Sequence, residues 1–260
     1  MVRRVSMPEH LAAVVLAAGA GQRLRPLTRL RPKPLCPVGD RPLLDLAVER
    51  VRPAVSDDAA VAVNVHHGAE QLLAHLAGHH PAAHVSWERE RALGTAGALG
   101  NLRSWIDGRP VLVTNADAWC TPDLAGVARG WDGASIRVVV DGDEPFGPRS
   151  RIVAALHPWS VVAALEPVPS GLWELCWRDA LAAGGLDWVG DGGPFVDCGT
   201  PAEYLRANLL ASGGASVVGE GARVDGEVYE SVVWPGATVE TGEVLRRAIR
   251  ASDSVTVLVR

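Results

Sequence analysis

Lys33 is the only lysine among 25 basic side chains, and it stands in Arg31-Pro32-Lys33-Pro34-Leu35. An ammonium is a compact point charge and a guanidinium a broad planar fork, so a tight phosphate pocket can tell them apart. The competing reading is drift toward arginine that left one surface lysine by chance. Upstream lies Ala17-Ala18-Gly19-Ala20-Gly21-Gln22-Arg23-Leu24. A strand that ends in such a glycine turn brings backbone N–H groups close to an anion. A dinucleotide-binding fingerprint fits it badly, because the third glycine of GxGxxG would fall at Leu24. Arg23 close by and Lys33 further on suit a polyphosphate better than the two phosphates of a dinucleotide.

These residues need a scaffold that delivers them to one place. Residues 11–17 form a short apolar run that ends in glycines, as a buried parallel strand does. Residues 42–52 carry Leu43, Leu44, Leu46, Ala47 and Val51 at helical spacing. A second strand is expected at 60–65, a helix at 69–77, a third strand at 110–114 and a fourth at 135–140. Strands alternating with helices imply an α/β, doubly wound sheet, with its ligand crevice beyond the carboxyl ends of the strands. The turns after Ala17 and Thr114 should then share one crevice. From about residue 208 the texture changes: Gly219-Glu220-Gly221-Ala222-Arg223-Val224 is echoed by Trp234-Pro235-Gly236-Ala237-Thr238-Val239. Apolar residues recur six apart at Val218 and Val224, then at Val233, Val239 and Leu245, which suggests a short β-helix. The echoes are 15 residues apart rather than a multiple of six, and a β-hairpin tail is the alternative. The expected division is a loose tail at 1–10, a catalytic domain at 11–207 and a coil-repeat tail at 208–260.

With 260 residues, 48% of them hydrophobic, the chain can build one large domain with a small appendage. A net charge of −5 and the lack of a basic stripe with interleaved aromatics argue against nucleic acid as the partner. Cys36, Cys120, Cys176 and Cys198 are scattered, which favours reduced thiols and a cytoplasmic location. The apolar run near the start is too short to span a bilayer, so no membrane association is expected.

Residues 14–44, VVLAAGAGQRLRPLTRLRPKPLCPVGDRPLL, closely resemble the opening signature of the sugar-1-phosphate nucleotidyltransferases. Leu93-Gly94-Thr95-Ala96-Gly97-Ala98 resembles that family's base-and-ribose segment. Asn115-Ala116-Asp117 resembles its metal-binding turn, and Phe195-Val196-Asp197-Cys198-Gly199-Thr200-Pro201 a later segment with a second metal-binding aspartate. The resemblance implies a Rossmann-like, GT-A-like domain with a left-handed β-helix tail. It implies an enzyme that joins a nucleoside triphosphate to a sugar 1-phosphate and releases pyrophosphate. Asp117 and Asp197 would hold Mg²⁺, which takes oxygen ligands and substrate phosphates. Arg23 would hold the leaving phosphates, and Lys33 would lie near the α-phosphate and the incoming sugar phosphate. Leu16, Ala17, Ala18, Gly19 and Gly21, with Gly94 and Thr95, would bind base, ribose and phosphates, and Glu88 would make a polar base contact. The leading substrate pair is GTP with mannose 1-phosphate, followed by UTP with an N-acetylated sugar phosphate or dTTP with glucose 1-phosphate. Relatives often form homo-oligomers.

Each aspartate also has a plainer reading: Asp117 as the cap of a helix that begins near Pro122, Asp197 as a turn residue before Gly199. The chain departs from the family at Leu165-Glu166-Pro167, where relatives carry a Glu-Lys-Pro lysine for the sugar phosphate. Arg149, Arg151 or Arg178 could replace it; alternatively the chain is a non-catalytic, nucleotide-binding regulator. The crowded His66, His67, His75, His79, His80 and His84 read as a solvated helix and loop. Trp173, Trp177 or Trp188 could stack on a sugar ring, but the area an indole buries favours core or interface positions. Cys36 reads as packing.

Overall fold

The computed structural model describes residues 10–259, so all but the last residue of the expected tail at 1–10 lies outside the described residues. The chain divides into two compact units, each assembled from separate stretches.

The first unit comprises the described residues up to Gly19, Ala47–Ala116 and Cys120–Phe195. Its sheet contains β1 (Ala12–Leu16), β2 (Val61–Val65), β3 (His84–Trp87), β4 (Val111–Asn115), β5 (Ile136–Asp141), β6 (Ile152–His157) and β7 (Leu186–Asp191). Their order is β7-β5-β6-β4-β1-β2-β3. All run in one direction except β6, which is antiparallel to both β4 and β5. The near-unbroken apolar runs of β1, β2 and β4 reflect burial on both faces. From β1 the chain builds outward to β2 and β3, then returns to the other side of β1 with β4. That reversal is a topological switch point, where the carboxyl ends of neighbouring strands open a crevice. Leu16 and Asn115 are in register there, and Ala116 N–H donates to Leu16 O at 2.9 Å. The turns after β1 and β4 therefore start side by side, as expected.

Helix α1 (Leu43–Val51) links the two units in sequence, and α2 (Ala69–His79) follows β2. Helix α3 (Gly94–Ile106) was not anticipated, and Gly97 and Gly100 within it each disfavour a helix by about 1 kcal/mol. They are glycine because the helix lies on the backbone of 166–168. A methyl group at Gly97 would run into Val168 O, and one at Gly100 into Glu166 O. The core joins α3, through Leu99, Leu102 and Ile106, to β4, β5 and Trp177.

The second unit comprises Ala20–Leu46, Asp117–Trp119 and the chain from Val196 onward. The helix Pro201–Ala211 has proline at its first turn and Thr200 as cap, whose hydroxyl accepts from Glu203 N–H at 3.2 Å. Beyond it the chain coils. Val217–Val218, Val232–Val233 and Ala248–Ser252 stack in parallel, as do Arg223–Val224 on Thr238–Val239 and Glu227–Tyr229 on Val244–Arg246. The strand Val255–Leu258 closes the stack antiparallel to Ala248–Ser252. Arg223 pairs with Thr238, so the 15-residue spacing of the two echoes is one turn of the coil. Val233, Val239 and Leu245 point inward. Val218 and Val224 are exposed, as is usual on an end coil, which among the described residues pairs on one side only. Leu24, Leu27, Cys36, Tyr204 and Trp234 share the core of this unit.

No helix among the described residues is long and apolar enough to cross a membrane.

Candidate active site

In the second unit the site is built around Lys33. Pro32 is extended, and Lys33–Leu35 then forms a single tight turn containing Pro34, so prolines restrict the backbone on both sides. Gly21 packs against this turn in a left-handed conformation (φ 58°). A methyl group there would lie 3.0 Å from Lys33 Cβ and 3.0 Å from Thr28 Cγ2. Thr28 also donates its hydroxyl to Gly21 O at 2.9 Å.

The Lys33 side chain is only 6% exposed, and its ammonium donates to Asp117 Oδ2 and Asp197 Oδ1, each at 3.0 Å. Cys198 N–H donates to Asp117 O at 3.1 Å, which ties the two aspartate-bearing segments together. Burial pulls the Lys33 pKa down, but Asp117 and then Asp197 outweigh it, and the net direction is upward. For Asp197 burial pushes the carboxyl pKa up, but Lys33 and then Arg23 outweigh it and leave it below the ordinary range. Arg23 is exposed and donates Nη2–H to Asp197 Oδ2 at 3.3 Å.

Neither plainer reading of the aspartates describes the arrangement. Asp123, not Asp117, caps the following helix, accepting from Gly126 N–H at 2.8 Å. Asp197 bridges Lys33 and Arg23 instead of closing a turn on its own backbone. Both carboxylates are close to half exposed and converge on one cation, the Lys33 ammonium. A pair of carboxylates converging on one point is a donor set that suits a hard divalent ion such as Mg²⁺.

The first unit holds the remaining candidates. Ala17 N–H donates to Asn64 Oδ1, Asn64 Nδ2–H to Glu88 Oε1, and Leu93 N–H to Glu88 Oε2, each at 2.8 Å. Asn64 and Glu88 are buried, so this relay ties the glycine turn to the start of α3. Both Glu88 oxygens therefore already have protein donors. His67 Nδ1 lies 3.0 Å from Ala18 O, and His66 Nδ1 lies 2.6 Å from Glu88 O. Gly94 has φ 70°, and a methyl group there would lie 2.5 Å from Ser170 O. Thr95 Oγ1 accepts from Leu172 N–H at 2.9 Å. A cavity of about 170 Å³ opens beside Thr95, lined by Leu16, Asn115, Trp173, Glu174 and Trp177 among others. Trp173–Trp177 is a π-helical turn, a local expansion often found at functional sites.

Sequence reasoning missed Asn64 as part of a site, placed Asn115 only in the turn that carries Asp117, and set the sugar-stacking reading of Trp173 and Trp177 behind a core one. Asn64 had one signal, a polar residue in an otherwise apolar strand. The π-turn had its two tryptophans as a signal, which the core reading outweighed. Trp177 is indeed buried, donating Nε1–H to His157 Nε2 at 2.9 Å, while also lining the cavity. The histidines are not a uniformly solvated group: His80 is buried, with Nδ1 3.3 Å from Arg52 Nη2, while His75 and His79 stack with centroids 4.1 Å apart. Cys36 is buried and inert, its thiol pushed up to about 12 by burial, which is opposed by Arg31 and Lys33. Of the arginines weighed as a second phosphate contact, Arg151 pairs with Asp141 and Arg178 with Asp179, while Arg149 lines a separate pocket of 140–151.

The fold is that of the Rossmann-like nucleotidyltransferases. A crystal structure from Bacillus anthracis, provisionally named glucose-1-phosphate thymidylyltransferase, superposes with a TM-score of 0.64 over 77% of this chain and 95% of that one, at 20% identity. Residues 12–135 match the family model for nucleotidyl transferase. An N-acetylmuramate alpha-1-phosphate uridylyltransferase of Caulobacter vibrioides is 40% identical over 129 residues, 46% of this chain and 52% of the relative. A mannose-1-phosphate guanyltransferase of Schizosaccharomyces pombe is 34% identical over 236 residues, 77% of this chain and 64% of the relative. The chain thus spans between half and two thirds of the length of these relatives.

Proposed function

We propose that the protein transfers a nucleoside monophosphate from a nucleoside triphosphate to a sugar 1-phosphate. An oxygen of the sugar phosphate bonds to the α-phosphorus, the bond from that phosphorus to the β-bridging oxygen breaks, and pyrophosphate leaves with the electron pair. The observation that carries this reading is Lys33, buried between Asp117 and Asp197, with Arg23 on Asp197. Two polyanions must meet for this reaction, so positioning and charge neutralisation are what the protein supplies. Lys33 stabilises charge at the α-phosphate, Arg23 receives the leaving phosphates, and the turn beyond Ala17, whose own N–H is held by Asn64, offers backbone N–H groups to the triphosphate. Asp117 and Asp197 would hold Mg²⁺, which supplies further neutralisation of phosphate charge when bound.

For the substrates, the longer alignment favours GTP with mannose 1-phosphate. A second reading, UTP with an N-acylated sugar phosphate, is favoured by the higher identity of the other relative and by the tryptophans and aliphatic groups lining the cavity. The test is pyrophosphate release with Mg²⁺ across a grid of triphosphates and sugar 1-phosphates. Release confined to one pair, and lost on adding chelator or in Asp117→Ala, is the expected result. Silence across the grid with intact nucleotide binding would replace the enzyme by a nucleotide-binding regulator.

A further inference from the structure

The segment that carries Lys33 is anchored at both ends, and one anchor comes from the coiled tail. Arg31 lies two residues before the lysine, and its guanidinium carbon sits 4.5 Å above the ring of Trp234. On the other side, Tyr204 donates its hydroxyl to Pro37 O, and Asn208 Oδ1 accepts from Gly39 N–H at 3.0 Å. Trp234 holds that anchor too, donating Nε1–H to Tyr204 Oη at 2.9 Å with the two rings edge to face. Trp234 is fully buried, and its N–H donates to Arg250 O in the next coil at 2.8 Å. A single indole therefore joins the coil stack to both flanks of the Arg31–Gly39 segment.

We propose that Trp234 is a positioning residue for Lys33: the first coils of the tail hold the Arg31–Gly39 segment so that the ammonium stays between Asp117 and Asp197. The tail thereby supports the reaction without touching a substrate. This consequence for turnover rests on the transferase reading; the consequence for the lysine does not.

The chain has one lysine, so an amine reagent followed by peptide mapping reports on Lys33 alone among side chains. In the wild type, trinitrobenzenesulfonate should react slowly with this buried, ion-paired amine. Trp234→Phe removes the Nε1–H donor and weakens the cation–π contact, and Arg31→Gln removes the cation. Both should speed labelling of Lys33 roughly fivefold, the scale of one lost hydrogen bond. They should lower kcat by a similar factor while leaving KM for the triphosphate unchanged. Trp131→Phe is the control, since it deletes a comparable buried donor, Nε1–H to Ser135 O at 2.8 Å, in the first unit. It should change neither readout. Unchanged labelling in both test variants, or an equal rise in Trp131→Phe, overturns the proposal. Should Trp234→Phe fail to fold, Arg31→Gln decides it. A wild type without turnover removes the transferase reading, while the labelling comparison still decides the positioning role.

Discussion

At the residue scale, the site depends on a compact cation at one point. Lys33 satisfies two carboxylates at 3.0 Å each from a side chain that is almost wholly covered. A guanidinium spreads its charge over a plane and cannot occupy that point in the same way. Lys33→Ala and Lys33→Arg should therefore each lower kcat by roughly 10²–10³-fold, while equilibrium binding of the triphosphate persists. Steady-state pyrophosphate release and nucleotide titration together measure this. His157 supplies a separate, pH-dependent effect. It is fully buried, and burial pulls its pKa from 6.5 to about 4. Between those values the unfolded chain binds a proton that the folded chain does not, so stability falls as pH falls through that window. The loss should reach about 3 kcal/mol by pH 4 and be absent above the ordinary histidine pKa. Urea unfolding across pH 4–7 reads it, and His157→Gln, which keeps an acceptor for Trp177 but does not titrate, should flatten the slope.

At the element scale, α3 shows local propensity yielding to packing. Gly100→Ala gains up to about 1 kcal/mol of helix propensity. The added methyl group, however, collides with Glu166 O, and overpacking of this kind costs about 1–3 kcal/mol. The net expectation is destabilisation, seen as a lower denaturant midpoint at constant m-value. The same contact explains why the helix was invisible beforehand: its glycines make sense only once the 166–168 backbone is known to lie against them. The strands β1, β2, β4 and β5 were legible because buried parallel strands are continuous apolar runs. The reversal of β6 was not, since a strand's direction leaves no mark on its own composition. The tail was legible as a repeat, and its 15-residue coil became meaningful only when Arg223 was seen to pair with Thr238.

At the scale of the whole molecule, each unit has its own core, and the charged cluster lies wholly within the second. Tyr204 is the hub of that unit: fully buried, it donates to Pro37 O and accepts from Trp234. Burial first, then Cys36, drives its phenol well above the ordinary tyrosine pKa, so it remains a donor under all working conditions. Tyr204→Phe would leave two buried polar groups without this partner and should cost about 2 kcal/mol or more. Thermal unfolding should show the loss, and amide exchange should show it concentrated in the 31–39 segment and the coils.

The sequence by itself named the charged groups that the fold brings together. A lone lysine in a proline-flanked turn, a glycine turn after a buried strand, and two aspartates in recognisable surroundings named Arg23, Lys33, Asp117 and Asp197. Side-chain chemistry and local turn geometry are written in residue type and short spacing, so they can be read one segment at a time. Only the tertiary structure decided how these groups pair. Lys33 meets aspartates 84 and 164 residues away, and the Asn64–Glu88 relay and the Trp234 anchor likewise join distant segments. Such contacts depend on strand order, on coil register and on where backbone approaches backbone. Those quantities belong to the packed chain as a whole, and no single segment encodes them.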